Sequence, residues 1–96
     1  MPTYEREPRF IRDFAALTDA EKRAFRVAVV KFLADLPTRQ FRAGLRVRDV
    51  EGHPGVWEMT WAGDGRATFS YGASVHEGET HVIWRRVGTH AIFDNP

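Results

Sequence analysis

The sequence predicts an α+β fold, in which a small twisted antiparallel sheet carries one long and one short N-terminal helix on one face. Two observations support this prediction. The first half of the chain has one long amphipathic helical pattern, and the second half has three consecutive segments typical of antiparallel strands. A chain of 96 residues can bury only one core, so residues 1–96 are expected to form a single domain.

Composition limits the classes of function. The formal net charge of +1 is too small for nucleic-acid binding by bulk electrostatics, so a cationic site must arise from placement. Most basic residues are arginine, which favours bidentate contact with phosphate, although a GC-rich genome gives the same excess. There is no cysteine for a disulfide and no apolar run near the roughly 20 residues that span a bilayer. The first residues lack the apolar stretch of a secretory signal, so a cytoplasmic location is expected.

The first half of the chain is expected to hold an edge strand at Arg9–Arg12, a short helical lead-in at Phe14–Leu17 and one long helix. The long helix runs from Thr18 to Leu36, with Thr18 and Glu21 forming a capping box. Its apolar face is Phe25, Ala28, Val29, Phe32, Leu33 and Leu36. Four basic residues lie mostly off that face and are expected to be solvated: Lys22, Arg23, Arg26 and Lys31.

The second half is expected to form four strands. Leu45–Val50 alternates like a strand, and the later strands begin near Trp57, Arg66 and His81, with a hairpin turn at Ala62–Gly65. The long helix is expected to pack on the sheet face that carries Val47, Trp57, Met59 and Phe69. The opposite, polar face is then expected to present Arg46, Arg48, Glu58, Thr60, Arg66, Thr68 and Ser70.

Three short motifs after the long helix resemble the RelE/ParE toxin superfamily. They are the Trp57-Glu58 pair, the strand opening Gly65–Phe69 and the strand ending Arg85–His90. The resemblance extends from about Phe10 to Phe93 and implies the same small α+β fold. It further implies a RelE-type mRNA interferase of a type II toxin–antitoxin system, an endoribonuclease that needs no metal or cofactor, cuts mRNA at the ribosome and is silenced by an antitoxin protein.

The same resemblance suggests catalytic roles for two residues. Arg66 follows the hairpin where RelE-type enzymes carry an arginine, and it is expected to clamp phosphate; otherwise it is a surface arginine. His90 closes the last strand where several relatives place a catalytic histidine, arginine or tyrosine. Histidine's ordinary pKa near 6.5 suits a general acid, although a surface or capping role accounts for His90 equally well.

Glu58 is the ambiguous member of the predicted catalytic set. RelE-type enzymes often have basic residues at the positions of Glu58 and Thr60, whereas neither is basic here. Glu58 is expected to act either as the general base or as the partner of Arg48 or Arg66 in a structural ion pair.

The remaining expected RNA contacts are Arg46, Arg48, Thr68 and Arg86. Strand alternation puts Arg85 and Arg86 on opposite faces, so only one of them can face the site. The four histidines lack metal-ligand spacing, so no metal site is expected.

Two other functions remain open. One is a ParE-like toxin that inhibits DNA gyrase and cuts no RNA, and the other is a non-catalytic protein-binding relative. Arg66 and His90 favour the enzyme, whereas the non-basic Glu58 and Thr60 favour the alternatives.

Overall fold

The computed structural model describes all 96 residues as two helices and a five-stranded sheet. The elements are β1 (Thr3–Arg6), α1 (Pro8–Ala15), α2 (Asp19–Asp35), β2 (Arg48–Asp49), β3 (Trp57–Thr60), β4 (Gly65–Gly72) and β5 (His81–Thr89). Two short 3-10 helices lie at Ala43–Leu45 and His90–Asp94. The strand order is β1-β5-β4-β3-β2. Neither α-helix has the length and apolar composition needed to cross a membrane.

The predicted α+β class is confirmed, but the sheet is mixed. Strands β2 to β5 are antiparallel, whereas the edge strand β1 runs parallel to β5. The edge strand was predicted at Arg9–Arg12, and this assignment is wrong because those residues lie inside α1. Pro8 occupies the first turn of α1, a position that proline favours, and Phe10 and Phe14 then meet the core from one helix face.

The long helix is confirmed within one residue at each end. Thr18 caps it, with the Thr18 hydroxyl accepting from the Glu21 amide at 3.1 Å. The Glu21 carboxylate accepts in return from the Thr18 amide at 2.8 Å. Both halves of the predicted capping box are therefore present.

The core lies between α2 and the sheet face that the sequence predicts. Phe32 of α2 and Met59 and Phe69 of the sheet are fully buried, and Val47 and Trp57 pack against them partly buried. Leu33 remains exposed, so the buried stripe of α2 is narrower than the predicted apolar face. This packing turns the polar sides of β3 and β4 away from the helices.

The predicted strand at Leu45–Val50 is mostly wrong. Only Arg48 and Asp49 pair as a strand, and Leu45 ends a 3-10 helix instead. Arg46 has a left-handed backbone with φ of 47°, which breaks the extended alternation between it and Arg48. The two arginines therefore do not share one regular strand face.

A bulge interrupts the alternation of β5. Phe69 pairs with Trp84 and Thr68 pairs with Arg86, so Arg85 is an extra residue in β5. The expectation that Arg85 and Arg86 lie on opposite faces depends on strict alternation, which fails at this point.

Candidate functional site

Four predicted site residues form one row across the sheet, which we call the polar row. The strand register places Arg48 beside Glu58, Glu58 beside Thr68 and Thr68 beside Arg86. Directly paired residues in neighbouring strands point to the same face. The polar row therefore lies on the sheet face away from α2, as strand alternation predicts.

Both arginines of the polar row bind partners within the chain. Arg48 Nε donates to Glu58 Oε1 at 2.9 Å, and the Glu58 side chain is only 9% exposed. Arg86 donates to both carboxylate oxygens of Asp13, at 2.6 and 3.2 Å, and to the Asn95 carbonyl oxygen at 3.0 Å. The Asp13 hydrogen bonds raise the pKa of Arg86. These contacts engage most of the Arg86 guanidinium, whereas Arg48 gives only Nε to Glu58 and its side chain remains 68% exposed.

Thr68 lies in the middle of the polar row and is fully buried. Its hydroxyl has no hydrogen-bond partner within the protein. A side chain without solvent access does not touch RNA directly, so the geometry does not support the RNA contact predicted for Thr68.

Arg66 occupies the next row, between Thr60 and Gly88. Its Nη1 atom donates to the carbonyl oxygens of Gly65 at 3.0 Å and Gly63 at 3.2 Å, and no carboxylate pairs with it. The Trp61 indole donates to the Arg66 carbonyl oxygen at 2.9 Å and fixes the backbone from the other side. The hairpin thus orients the guanidinium while leaving its charge unneutralised.

His90 begins the C-terminal 3-10 helix directly after Thr89, which pairs with Gly65. Its ring is exposed and meets the Phe93 ring edge to face, with centroids 4.8 Å apart. A Cβ atom on Gly88 would lie 3.1 Å from Ile92 Cγ2, which places this 3-10 helix on the Arg66 side of the sheet. The fold therefore brings Arg66 and His90 to one end of β4 and β5.

A groove of about 500 Å³ lies between α2, the Ala43–Leu45 3-10 helix and the β3–β4 hairpin. We call it the basic groove, because its lining contains Lys31, Arg42, Arg46 and Arg66 and no acidic residue. Sequence reasoning found Arg46 and Arg66 but missed Lys31, which helical spacing assigned to solvent. Only the folded chain brings these residues from three elements together.

Arg42 is the one cation of the basic groove that has a carboxylate partner. Arg42 donates to Asp35 from its backbone amide at 3.0 Å, from Nε at 2.8 Å and from Nη2 at 3.0 Å. These hydrogen bonds lower the pKa of Asp35 from 3.8 to about 2 and raise the pKa of Arg42. The pair ties the loop that follows α2 back onto the end of the helix.

A second groove, of about 890 Å³, lies on the helical side of the molecule between β1, α1 and α2. We call it the apolar groove, because twelve of its sixteen lining residues are hydrophobic. Tyr4, Val30 and Leu33 are exposed there. Arg6 and Arg26 also line it, and neither forms an ion pair.

No group of three or more His, Asp and Glu side chains is arranged to hold a metal ion. Arg66 of the predicted catalytic pair lines the basic groove with further cations, and His90 lies outside that lining, at the same end of β4 and β5. Such an arrangement can hold a polyanion and stabilise charge that develops on one of its phosphates.

Solved structures share this fold over nearly the whole chain. The toxin–antitoxin complex DinJ–YafQ of E. coli matches with a TM-score of 0.68 at 15% identity, covering 94% of this chain and 93% of that chain. A metal-bound toxin from Helicobacter pylori matches with a TM-score of 0.65 at 18% identity, covering 95% and 97%. The RelB–RelE antitoxin–toxin complex of Methanococcus jannaschii matches with a TM-score of 0.59 at 15% identity, covering 95% and 98%.

No protein-family model matches the sequence, and no curated protein is significantly similar to it. The likeness is therefore one of three-dimensional structure, and it agrees with the resemblance of the three short sequence motifs. The chain has the fold of the RelE- and YafQ-type toxins of toxin–antitoxin systems.

Proposed function

We propose that this protein is the toxin of a type II toxin–antitoxin system and cuts mRNA at the ribosome as an endoribonuclease. Several structures with the same fold are toxins solved with an antitoxin. The observation that carries the enzymatic part is the setting of Arg66, whose guanidinium is held by hairpin carbonyl oxygens and has no carboxylate partner. His90 lies at the same end of β4 and β5.

The reaction follows from RNA's own chemistry. The ribose 2′-oxygen attacks the neighbouring phosphorus, loses its proton to a base, and the bond from phosphorus to the 5′-oxygen breaks. Arg66 stabilises the negative charge that builds on the phosphate oxygens, and His90 donates a proton to the departing 5′-oxygen. The products are a 2′,3′-cyclic phosphate end and a 5′-hydroxyl end.

Glu58 fits the ion-pair alternative better than the role of general base. Its carboxylate accepts from Arg48 at 2.9 Å and is almost closed to solvent. Proton abstraction needs a carboxylate within reach of the ribose hydroxyl. We therefore assign the acid to His90 and the phosphate contact to Arg66, and we assign Glu58 to holding β2 on β3.

The antitoxin has a suitable surface in the apolar groove. An amphipathic helix or strand would bury Tyr4, Val30 and Leu33, which are exposed in the free chain. Arg6 and Arg26 have no carboxylate partner at this groove, so the fitting segment carries acidic residues beside its apolar ones. The partner is expected in a neighbouring reading frame, and co-expression with a pull-down tests this.

The test of the enzymatic function is cleavage of a defined mRNA on translating ribosomes. Phenanthroline is added to remove transition metals while leaving ribosomal Mg²⁺, and the new RNA ends are analysed. The proposal predicts continued cleavage that leaves 5′-hydroxyl ends. Wild-type protein that halts growth without cutting RNA would refute it, and loss of DNA supercoiling in those cells would favour a gyrase inhibitor.

A further inference from the structure

We infer that the RNA strand reaches Arg66 through the basic groove, where Lys31 and Arg46 hold its backbone phosphates. This inference rests on the proposed ribonuclease function and adds a substrate path to it. The sheet face offers a poorer path, because carboxylates of the chain offset the charges of Arg48 and Arg86 in the polar row and the central Thr68 is fully buried.

The charges of the basic groove are available to a ligand. Lys31, Arg46 and Arg66 form no ion pair, and only Arg42 is neutralised, by Asp35. No carboxylate lines the groove to offset them. Uncompensated cations that line one concave surface raise the local concentration of a polyanion, even on a chain whose net charge is only +1.

Local structure fixes the positions of these cations. Arg46 follows the Ala43–Leu45 3-10 helix in a left-handed conformation, and its amide donates to the Ala43 carbonyl oxygen at 3.1 Å. The Asp35–Arg42 pair anchors the same loop to α2. Lys31 is on α2 itself, and Arg66 is held by the hairpin. The cations thus come from α2, from the loop around the Ala43–Leu45 3-10 helix and from the β3–β4 hairpin, which surround one groove.

The size and lining of the groove admit a nucleotide. Its volume of about 500 Å³ is within the usual range for small-ligand sites, and its floor includes the apolar side chains of Ala28, Leu45 and Trp61. Arg66 Nη1 donates to the carbonyl oxygen of Gly63, a hairpin residue that lines the groove, so a strand lying in the groove passes the Arg66 guanidinium at the hairpin. An acidic peptide could bind the cations of the groove without reaching Arg66, so the position of Arg66 beside the groove favours RNA as the ligand.

The test compares two double variants that lose the same charge. Lys31→Gln with Arg46→Gln empties the groove of two cations, whereas Arg12→Gln with Arg23→Gln removes two exposed arginines elsewhere on the helices. Binding is measured by fluorescence anisotropy over a series of salt concentrations. The probe is a single-stranded 2′-O-methyl RNA of mixed sequence, which cannot be cut because its nucleophile is blocked.

The groove variant is expected to bind the probe on the order of tenfold more weakly and to lower the salt slope by about 0.7 for each lost phosphate contact. The control variant is expected to bind nearly as the wild type does. Equal binding by both variants would overturn the inference. So would a groove variant that binds RNA normally but loses the antitoxin, because the groove would then be a protein site.

The binding assay also separates this inference from the proposed function. If the wild type binds the probe through Lys31 and Arg46 but cuts no mRNA, RNA binding in the basic groove is supported and the proposed ribonuclease function is refuted. If the groove variant cuts mRNA at the wild-type rate, the nuclease stands and the path through the groove fails.

Discussion

The polar row of the sheet and the basic groove contain the same kind of side chain in opposite settings. In the polar row, Arg48 and Arg86 are held by carboxylates of the chain itself. In the basic groove, Arg46 and Arg66 have no such partner. In a chain of net charge +1, the number of arginines therefore says little about RNA binding. What matters is which guanidinium groups the fold leaves unpaired, because a carboxylate partner offsets part of the charge that would otherwise attract a phosphate.

The largest expected effect comes from His90, the proposed acid of the reaction. His90→Ala should slow mRNA cleavage by roughly 10² to 10⁴ and remove the corresponding limb of the pH–rate profile, because the 5′-oxygen then leaves without a proton donor. Single-turnover cleavage over a range of pH measures both effects. His53→Ala is the matched control, since His53 is an exposed histidine in the loop between β2 and β3. Equal rates for the two variants would remove His90 from the mechanism.

The next effect concerns the apolar groove and the antitoxin. Val30→Asp or Leu33→Asp should weaken antitoxin binding by about 10- to 100-fold, because burying such a side chain contributes about 1.5 to 3 kcal/mol. Titration calorimetry with the purified antitoxin measures the affinity. Val75→Asp serves as the control, because Val75 is exposed outside this groove. Cleavage of mRNA should be unchanged in Val30→Asp and in Leu33→Asp. Unchanged antitoxin affinity in these two variants would place the antitoxin on another surface.

A smaller effect is expected at the centre of the polar row. Glu58→Gln should lower the cleavage rate by less than about tenfold, because the carboxylate pairs with Arg48 and the proposed function does not assign it the role of base. The rate is measured at saturating RNA, where folding and binding losses are smallest. A fall of 10² or more in a folded Glu58→Gln variant would instead identify Glu58 as the base.

The smallest expected effect is on the pKa of Asp35, the carboxylate partner of Arg42. Arg42 is the one cation of the basic groove that has such a partner. The pKa of Asp35 is lowered to about 2 by its hydrogen bonds to Arg42, so the pair's stabilisation is fully present above pH 3.8 and is lost as the pH falls toward 2. In Arg42→Gln, a carboxyl NMR titration should find the Asp35 pKa raised toward 3.8 but still below it, because the backbone amide of residue 42 still donates to Asp35. An unchanged Asp35 titration would mean that the pair does not form in solution.

The parts of the fold that were predictable from sequence depend on local signals. Three features show this: the capping box of Thr18 and Glu21, the helical period of α2 and the Ala62–Gly65 turn. Each of them is encoded by residues that are close together in sequence. The strand assignment at Arg9–Arg12 is wrong because four residues are too few to show a helical period, and Pro8 in fact marks the first turn of α1. Arg46 has a left-handed backbone conformation that is usually signalled by a glycine. Because an arginine occupies this position, the alternating pattern around it wrongly predicts a strand.

The candidate site was predictable only as a set of residues. Arg66 and His90 were found from short motifs, but their availability depends on contacts across the fold. Asp13 and Arg86 are 73 residues apart, and no spacing rule links them. The basic groove likewise joins Lys31 to Arg46 and Arg66 from separate elements. Pairing and grooves of this kind arise from tertiary packing and leave no periodic trace in the chain.

The most direct test of the comparison measures cleavage and stability together for Arg66→Gln and Arg86→Gln. Arg66→Gln should lower mRNA cleavage by on the order of 10² and should lower the free energy of unfolding in urea by less than Arg86→Gln does, because the Arg66 guanidinium contacts only carbonyl oxygens of its own hairpin. Arg86→Gln should lower the free energy of unfolding by about 1.5 to 3 kcal/mol and leave cleavage by the folded protein close to wild type, because its guanidinium serves Asp13. The reverse pattern, or equal losses of cleavage in both, would contradict the account.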